Sequence, residues 1–556
     1  MRFNKIVRFV LLFVCIWGCS NSSYKKDVNS AASFPEQHAP RLEWWQQARF
    51  GLFIHYGPVS LSGKEIGWSR GSSIPVDQYD NLYKDFNPVL YNADEWVSVA
   101  KAAGMKYIVY TSKHHDGFCN WDTQYTDYNI MNSPFKRDLM AELAEACKKQ
   151  GMALGFYHST CDWRHPDFPL TSPGGTVVRE VFNLDRYTEY LKNQSVEIIK
   201  KYGPLLVMWY DVPQRFDSIR GKSVINSIRE VDPGIVVNNR TGAKGDFDTP
   251  EQRVGSYQDK RPWETCMTIC QQWSWKPNDN MKSAADVIRI LVRTVGGDGN
   301  LLLNVGPMPD GRIEPRQVEV LKQVGAWLQK NGESIYGTRG GPWKPNSTLT
   351  STRKGSKVYL HLLQYNIGEL WLSDPGCKVK STSFIGGGQV RFEQLDGKLH
   401  LTFDQALLDP MSSTICLELD GSAMDLPAIS IGDSFVATAS NVYNGMTDSY
   451  GPQMAFDNDS QTRWATNSGT KQAWLAVDLG KEYPVQRVRI DEAYAYRVQK
   501  FEFQYRSGQE WKTIFTGQKI GMGFEQTFAP VVAREFRLNV LDATDGPTII
   551  ELNLGI

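Results

Sequence analysis

Between residues 41 and 343 the chain alternates short, continuously apolar runs with stretches in which apolar residues recur at helical spacing. The apolar runs are FGLFIHYG (50–57), MKYIVYTSKHH (105–115), MALGFYHS (152–159), LLVMWYD (205–211), GIVVNNR (234–240) and NLLLNVGP (300–307). The helical stretches lie between them at 92–104, 137–151, 190–203 and 222–234. Strands that are apolar throughout are typical of a parallel sheet buried on both faces by helices. The pattern predicts an α/β domain.

A domain of about 300 residues with at least six such repeats favours a (β/α)8-like TIM barrel over a doubly wound sheet. No glycine-rich dinucleotide fingerprint opens any of the helices. After GGPW (340–343) the helical pattern stops, and short alternating segments indicate a small β-sandwich followed by a second β-rich unit. The predicted domains are a signal peptide (1–19), a linker (20–40), a barrel (41–343), a β-sandwich (344–425) and a C-terminal β-sandwich (430–556).

The N-terminus has the pattern of a secretory signal. Three basic residues precede an apolar stretch that is too short for a membrane-spanning helix. The stretch ends in Ile16-Trp17-Gly18-Cys19, which resembles a bacterial lipobox, so Cys19 is the expected lipidation site. Trp17 is bulky for such a site, and plain signal cleavage is the alternative. Lipidation predicts a cell-envelope protein anchored in a membrane, in the periplasm or on the outer-membrane surface.

Composition narrows the function class. The 61 basic and 61 acidic residues cancel, which gives no reason to expect a nucleic-acid partner. Seven cysteines remain after the signal, an odd and scattered set that does not form a disulfide framework. Cys266 and Cys270 lack the further ligands of a zinc site. The 17 Trp, 24 Tyr and 25 Phe suit both sugar stacking and β-rich cores, so they leave the function open.

Polar residues end several of the apolar runs: His55, His114, His115, His158, Asp211 and Arg240. In a TIM barrel the C-terminal ends of the strands meet at one mouth, where active sites lie. These side chains are therefore expected to surround one site. No HExxH spacing is present, and the side chains of the adjacent histidines diverge, so a sugar pocket is favoured over a metal centre.

Asp211 ends the most apolar run, two residues after Trp209. It could cap the following helix, but a carboxylate at a barrel mouth also suits a nucleophile that attacks a sugar C1. Retaining glycosidases need a second carboxyl group as acid/base. Glu251 in GDFDTPEQR, in a flexible loop over the mouth, and Glu264 in RPWETC, where a strand begins, are both candidates, and spacing does not decide between them.

These residues together resemble the retaining α-L-fucosidase family. The matching stretches are WWQQARFGLFIHYG, YIVYTSKHHDGFCNWDT, GFYHS, LLVMWYD, VVNNR, PWETC and LLLNVGPMPDG. The resemblance implies a (β/α)8-like barrel followed by a β-sandwich, and metal-free hydrolysis of terminal α-L-fucose with retention through a covalent fucosyl-enzyme. No cofactor is expected for catalysis.

The resemblance also implies roles for individual residues. Asp211 matches the nucleophile, and the loop position of Glu251 favours it as acid/base, with Glu264 as the alternative. The expected pocket residues are His55, Trp68, His114, His115, Trp209 and Arg240, with Tyr157 or His158 from the third run. Many members have Glu-Trp adjacent after the first histidine, whereas SGKEIGWSR separates Glu65 from Trp68. Trp68 is expected to keep a wall role, and the contribution of Glu65 to sugar binding is doubtful.

The C-terminal unit resembles a discoidin-like carbohydrate-binding module through AFDNDSQTRWAT, AWLAVDLG, VQRVRI and TIIELNL. Such modules often hold a structural calcium ion, for which Asp457, Asp459, Thr462 and Glu551 offer oxygen ligands. The alternative is an Asx-rich turn without an ion. Arg463 and Trp464 are expected to pack rather than to touch a ligand.

The leading hypothesis is an exo-acting α-L-fucosidase, a glycoside hydrolase whose partners are a fucosylated glycan at the barrel, a carbohydrate at the C-terminal module and a membrane. Two alternatives stay open. One is a retaining glycosidase for a related sugar such as galactose, because one hydroxymethyl group discriminates weakly. The other is a non-catalytic fucose-binding protein, against which the presence of Asp211 with two candidate acids argues.

Overall fold

The computed structural model describes residues 34–170, 179, 181–255, 257–346, 348–429, 436–456 and 462–555. Within them no helix is both long and apolar enough to cross a bilayer. The predicted signal peptide, Cys19 and most of the linker lie outside the described residues.

The N-terminal domain is a parallel TIM-like barrel. Its strands are β1 (Phe50–Ile54), β2 (Tyr107–Lys113), β3 (Ala153–Ser159), β4 (Val207–Asp211), β5 (Val236–Val237), β6 (Glu264–Thr268) and β7 (Asn300–Val305). They pair in the order β5-β4-β3-β2-β1-β7-β6. Residues 247–251 close the gap between β5 and β6 through isolated parallel bridges, Asn238 with Phe247 on one side and Glu251 with Cys266 on the other. This segment takes the place of the eighth strand of the barrel.

α1 (His38–Ala48) packs against the inward-facing core through Trp45 and Ala48, and α2 (Val76–Tyr79) lies in the connection between β1 and β2. The outside of the sheet is covered by α3 (Ala93–Ala102), α4 (Leu139–Gln150), α5 (Leu184–Tyr202), α6 (Ser218–Arg229), α7 (Ala284–Gly296) and α8 (Pro315–Asn331). Their ends follow local chemistry. Asp138 caps α4 by accepting the Ala141 N–H, and Gly151 ends that helix in a left-handed conformation. Ser283 and Asp286 form a reciprocal capping box on α7.

Alternation along the strands divides the core into two layers. Side chains such as Leu52, Ile108 and Leu303 point outward into the layer between sheet and helices. Phe53, Tyr157 and others point inward and fill the barrel. An odd or even position therefore decides whether a strand-end side chain reaches the central mouth.

A β-sandwich follows: β8 (Arg339–Gly340), β9 (Leu349–Lys354), β10 (Lys357–Leu362), β11 (Glu369–Ser373), β12 (Val379–Phe384), β13 (Val390–Leu395), β14 (Lys398–Phe403) and β15 (Ser413–Leu419). Five strands form one sheet in the order β12-β15-β10-β9-β8, and β11-β14-β13 form the other. The barrel holds this unit closely, since the Trp327 indole N–H of α8 donates to the Ser412 carbonyl at 2.9 Å.

The C-terminal unit is an antiparallel β domain with its own core. It contains β16 (Val436–Ala439), α9 (Thr447–Tyr450), β17 (Trp464–Ala465), β18 (Ala473–Glu492), β19 (Val498–Ser507), β20 (Glu510–Gly517), β21 (Phe524–Ala543) and β22 (Thr548–Gly555). The strand order is β17-β22-β18-β21-β19-β20, and β16 adds to β18. The architecture agrees with the predicted barrel followed by two β-rich units.

Candidate active site

A pocket opens at the C-terminal ends of the barrel strands. It is lined by Phe53, His55, Trp68, His114, His115, Tyr157, Trp209, Asp211, Val212, Arg240, Glu251, Cys266 and Trp273. The structure thus brings together nine of the residues named from the sequence. Phe53, Val212, Cys266 and Trp273 were missed.

Asp211 lies at the end of β4 with both carboxylate oxygens hydrogen-bonded. Oδ1 accepts from Arg240 Nη1 at 2.8 Å and from the Val212 amide at 2.9 Å, and Oδ2 accepts from the Tyr157 hydroxyl at 2.8 Å. Burial alone would raise the pKa of Asp211, but the charge of Arg240 and the hydrogen bonds from Arg240 and Tyr157 outweigh it and hold the pKa below its ordinary value. Asp211 is therefore a carboxylate at neutral pH.

Two further features separate Asp211 from a helix cap. The next helix, α6, is capped by Asp217, whose side chain accepts the Arg220 N–H. Val212 has a φ of 48°, a conformation that costs a β-branched residue on the order of 1–3 kcal/mol. This strained turn directs the Val212 amide at Asp211 Oδ1. The capping alternative for Asp211 is wrong.

Glu251 lies at the mouth of the barrel, at the end of the segment 247–251 that takes the place of the eighth strand. Its Oε2 accepts from Arg240 Nη1 at 2.8 Å, and its side chain is 40% exposed. Because Asp211 Oδ1 and Glu251 Oε2 are each 2.8 Å from the same nitrogen, they are no more than about 5.6 Å apart, twice that distance. Retaining glycosidases hold their two carboxyl groups about 5–5.5 Å apart.

Glu264 does not reach this pocket. As the first residue of β6 it lies at the opposite, closed end of the barrel, where it accepts hydrogen bonds from the Tyr107 hydroxyl and from Trp209 Nε1. Burial raises its pKa to about 7. The alternative that made Glu264 the acid/base is contradicted by this placement.

His55 is held in one orientation by β7. Asn304 Nδ2 donates to the Trp273 carbonyl, which directs Asn304 Oδ1 towards His55 Nδ1 at 2.7 Å. His55 Nδ1 is therefore the donor, and Nε2 presents a lone pair. Burial lowers the pKa of His55 to about 4, so the ring is neutral. Such a nitrogen can accept a hydrogen bond from a sugar hydroxyl.

The two adjacent histidines are also neutral. Burial lowers the pKa of His115 to about 4 and that of His114 well below its ordinary value. His115 Nε2 lies 3.7 Å from Asp211 Oδ2. The ring centroids of His114 and His115 are 4.0 Å apart. Within the described part of the chain, however, no group of three or more His, Cys, Asp or Glu residues is arranged to hold a metal ion.

Aromatic side chains form the walls. Tyr157 stacks on Trp209 with centroids 5.7 Å apart, and Trp68 packs edge-on against His115 while remaining 39% exposed. Trp273 lies 4.8 Å from His55. Trp273 could not be predicted as a pocket residue from the strand pattern, because its segment has neither a strand nor a helix pattern. The only signal in the sequence is the tryptophan-rich stretch QQWSW.

Two expected pocket residues lie elsewhere. Tyr157 and Trp209 are register partners that point inward, whereas His158 and Tyr210 point outward, and His158 Nδ1 meets the Ser112 hydroxyl at 2.8 Å. His158 therefore does not line the pocket. Glu65 does not line it either, because its carboxylate accepts the backbone amide of Trp273 at 3.0 Å.

A parallel barrel with two close carboxyl groups in a pocket walled by aromatic rings defines the class: a glycoside hydrolase. A model of the family described as Alpha-L-fucosidase matches residues 18–333, more than half of the chain. The chain belongs to the α-L-fucosidase family, and its barrel is that of an enzyme that hydrolyses α-L-fucosides. A second model, the F5/8 type C domain, matches residues 436–552.

Individual relatives agree with this assignment. The tissue α-L-fucosidase of Rattus norvegicus is 29% identical, covering 66% of this chain and 84% of its own. The plasma α-L-fucosidase of Homo sapiens is 31% identical, covering 62% and 82%. Among solved structures, α-L-fucosidase isoenzyme 1 from Paenibacillus thiaminolyticus is 33% identical with a TM-score of 0.63, covering 69% of this chain and 99% of its own.

The C-terminal module contains a second cavity, of about 250 Å³. It is lined by Tyr443, Tyr450, Arg463, Ala465, Thr466, Ser468, Tyr494, Arg497 and Thr548. Arg463, expected to pack, lines this cavity and lies over the Tyr450 ring at 5.1 Å, whereas Trp464 is fully buried as expected. Of the suggested calcium ligands, Thr462 and the buried Glu551 are described, and Asp457 and Asp459 lie outside the described residues.

Proposed function

We propose that this α-L-fucosidase releases terminal α-L-fucosyl residues with retention, with Asp211 as nucleophile and Glu251 as acid/base. The observation that carries the proposal is the pair of carboxylate oxygens on one guanidinium nitrogen, which keeps them no more than about 5.6 Å apart, below the roughly 6.5–9.5 Å of inverting enzymes. Asp211 is buried and ionised, as a nucleophile requires, and Glu251 is exposed at the mouth, where a leaving group departs.

The two steps follow from these positions. Asp211 attacks C1 of the fucosyl residue while the bond from C1 to the glycosidic oxygen breaks, and Glu251 gives its proton to that oxygen. A water molecule then attacks C1, its proton passes to Glu251, and the bond to Asp211 breaks. Fucose leaves with its original anomeric configuration, and both carboxyl groups return to their starting states.

Substitution of the two residues tests the assignment. Asp211→Ala is expected to lower turnover of an aryl α-L-fucoside by a factor of about 10³ or more. Glu251→Gln is expected to regain turnover when azide is added, because azide attacks the fucosyl-enzyme without a general base and gives the α-L-fucosyl azide. Glu264→Gln serves as the matched control without azide rescue. Azide rescue of Glu264→Gln, with none for Glu251→Gln, would reverse the assignment.

We further propose that the C-terminal module binds a carbohydrate in the cavity around Arg463. Tyrosine rings beside guanidinium groups and threonine hydroxyls combine stacking faces with hydrogen-bond donors, as sugar sites require. Binding of the Asp211→Ala chain to immobilised fucosylated and galactose-terminated oligosaccharides would be measured. Arg463→Ala is expected to weaken it at least tenfold, while Arg489→Ala, paired with Asp491 elsewhere on the module, leaves it unchanged. Equal affinities for the two variants would exclude the cavity.

We propose a structural calcium ion in the same module, held by oxygen ligands from Asp457, Asp459, Thr462 and Glu551. These side chains offer the oxygen ligands that calcium prefers, and Glu551 is buried. A chelator is expected to lower the unfolding temperature of the module, and added calcium to restore it, as binding linkage requires. A melting curve indifferent to both treatments would contradict the site.

We also propose that Cys19 carries a lipid that anchors the enzyme in the cell envelope. The basic residues, the apolar stretch and Gly18-Cys19 support this. Cys19→Ala is expected to move the enzyme from the membrane fraction to the soluble fraction, and protease treatment of intact cells separates surface from periplasmic display. An unchanged membrane fraction would contradict lipidation at this residue.

A further inference from the structure

Arg240 is fixed between the two carboxyl groups. Its Nη1 donates to both Asp211 Oδ1 and Glu251 Oε2 at 2.8 Å. Its Nε donates to the Thr249 hydroxyl at 2.7 Å, and its Nη2 donates to the Thr249 carbonyl at 2.8 Å. Its guanidinium carbon also lies over the Trp209 ring at 5.1 Å. With all three nitrogens engaged, the charge of Arg240 has a defined position.

The proposed reaction moves one negative charge between these carboxyl groups. Before attack, Asp211 is ionised and Glu251 holds a proton. In the fucosyl-enzyme, Asp211 is an uncharged ester and Glu251 is ionised. When water releases fucose, Glu251 takes a proton and Asp211 regains its charge. One unit of negative charge is present throughout, and it changes place twice in each cycle.

We propose that Arg240 is the shared counter-ion for this moving charge, which places it in both half-reactions rather than only in sugar binding. The inference rests on the proposed roles of Asp211 and Glu251. A counter-ion that touches both sites stabilises the charge at each without rearrangement, so no reorganisation is needed at the moment of reaction. Asp211 is buried, and there such an interaction is stronger than in solution.

No other lining group competes for this role. Among the described residues that line the pocket, Arg240 is the permanent cation, because His55, His114 and His115 have lowered pKa values. The remaining titratable neighbours carry no charge at neutral pH. Burial raises the pKa of the Cys266 thiol and that of the Tyr157 hydroxyl well above their ordinary values.

The test separates the two half-reactions with an aryl α-L-fucoside that has a good leaving group and needs no acid. In Arg240→Gln, neither the ionised Glu251 nor the departing Asp211 carboxylate has a counter-ion, so release of the fucosyl-enzyme limits turnover. We expect a burst of aryl alcohol, slow turnover in water, and an acceleration of at least about tenfold by azide with formation of the α-L-fucosyl azide. Arg240→Lys keeps a cation and is expected to show less than about a twofold azide effect.

Controls separate charge from position. Thr249→Val removes one anchor of Arg240 but keeps the cation, and it is expected to show no azide acceleration. If Glu251 were merely displaced, lysine and glutamine variants would respond to azide alike, which would overturn the proposal. So would Arg240→Gln without a burst or azide effect. Should Arg240→Gln not fold, Arg240→Lys decides alone, since azide acceleration of that variant is also contrary to the proposal.

A failure of the proposed acid/base role of Glu251 can be told apart from a failure of the counter-ion role of Arg240. If Glu251→Gln shows no azide rescue, Glu251 is not the acid/base and the proposed function is wrong. If Glu251→Gln is rescued and Arg240→Gln is not, the assignment stands and only the counter-ion role of Arg240 is lost.

Discussion

Glu264 lies at the closed end of the barrel, and replacing it with glutamine exchanges one carboxyl oxygen for an NH2 group. In the native chain the carboxyl group accepts hydrogen bonds from Trp209 Nε1 and the Tyr107 hydroxyl. The amide oxygen of glutamine can keep the contact with Trp209. The Tyr107 hydroxyl can turn from donor to acceptor and meet the amide NH2. The variant therefore retains the local packing and loses the ability to ionise.

The magnitude follows from the pKa of Glu264, which burial raises from 4.5 to about 7. Because the folded-state pKa is the higher one, the folded chain holds the proton more tightly, and its stability falls as pH rises from the unfolded pKa through the folded pKa. The complete change is worth about 3 kcal/mol, of which about 2–3 kcal/mol is lost between pH 5 and pH 8. Glutamine has no such loss.

Denaturant unfolding of both chains at pH 5 and pH 8, followed by tryptophan fluorescence of the barrel, measures this effect. We expect Glu264→Gln to gain about 2–3 kcal/mol relative to the native chain between the two pH values. Taking the difference between chains at each pH cancels the titration of all other groups. A stability difference that stays constant within about 0.5 kcal/mol would refute the reasoning, since Glu264 would then ionise alike in both states.

Three further substitutions test the pocket. Tyr157→Phe removes a donor to Asp211 and is expected to lower kcat/KM about tenfold and to move the acid limb of its pH profile upward, because the pKa of Asp211 rises. Asn304→Asp places a carboxylate against His55, so the pKa of His55 rises from about 4 and the acid limb of the kcat/KM profile again moves to higher pH. An unchanged acid limb argues against a neutral His55 in catalysis. Glu65→Gln weakens the hold on the Trp273 amide and is expected to raise KM several-fold with little change in kcat, measured by steady-state kinetics.

The barrel and most of its mouth could be predicted from the sequence because parallel strands are apolar throughout and end at one rim. Asp211, His55 and Arg240 follow from that rule. Tyr157 and His158 do not, because choosing between adjacent residues requires knowing which one points inward. The register of β3 against β4, which pairs Tyr157 with Trp209, supplies that information and is invisible in a single run.

The choice between the two glutamates could have been made from strand direction. Glu264 is the first residue of its strand whereas His55 follows the last residue of its own, so the two lie at opposite ends of the barrel. The position of Glu251 could not be predicted in the same way. Its segment contains Pro250 and no apolar run, so no sequence pattern marks residues 247–251 as part of the barrel wall. Only the bridges to Asn238 and Cys266 show that they take the place of a strand.

Burial does not determine which carboxyl groups in this barrel are charged. Asp211 and Glu264 are both enclosed, yet the pKa of Asp211 is lowered and that of Glu264 is raised. Trp209 lies between them, with its indole N–H on Glu264 and its ring beneath Arg240. The difference is that Arg240 reaches Asp211, whereas the hydrogen-bond partners of Glu264 are neutral. The guanidinium therefore sets the charge at the mouth, which is the same property that its role in both half-reactions requires.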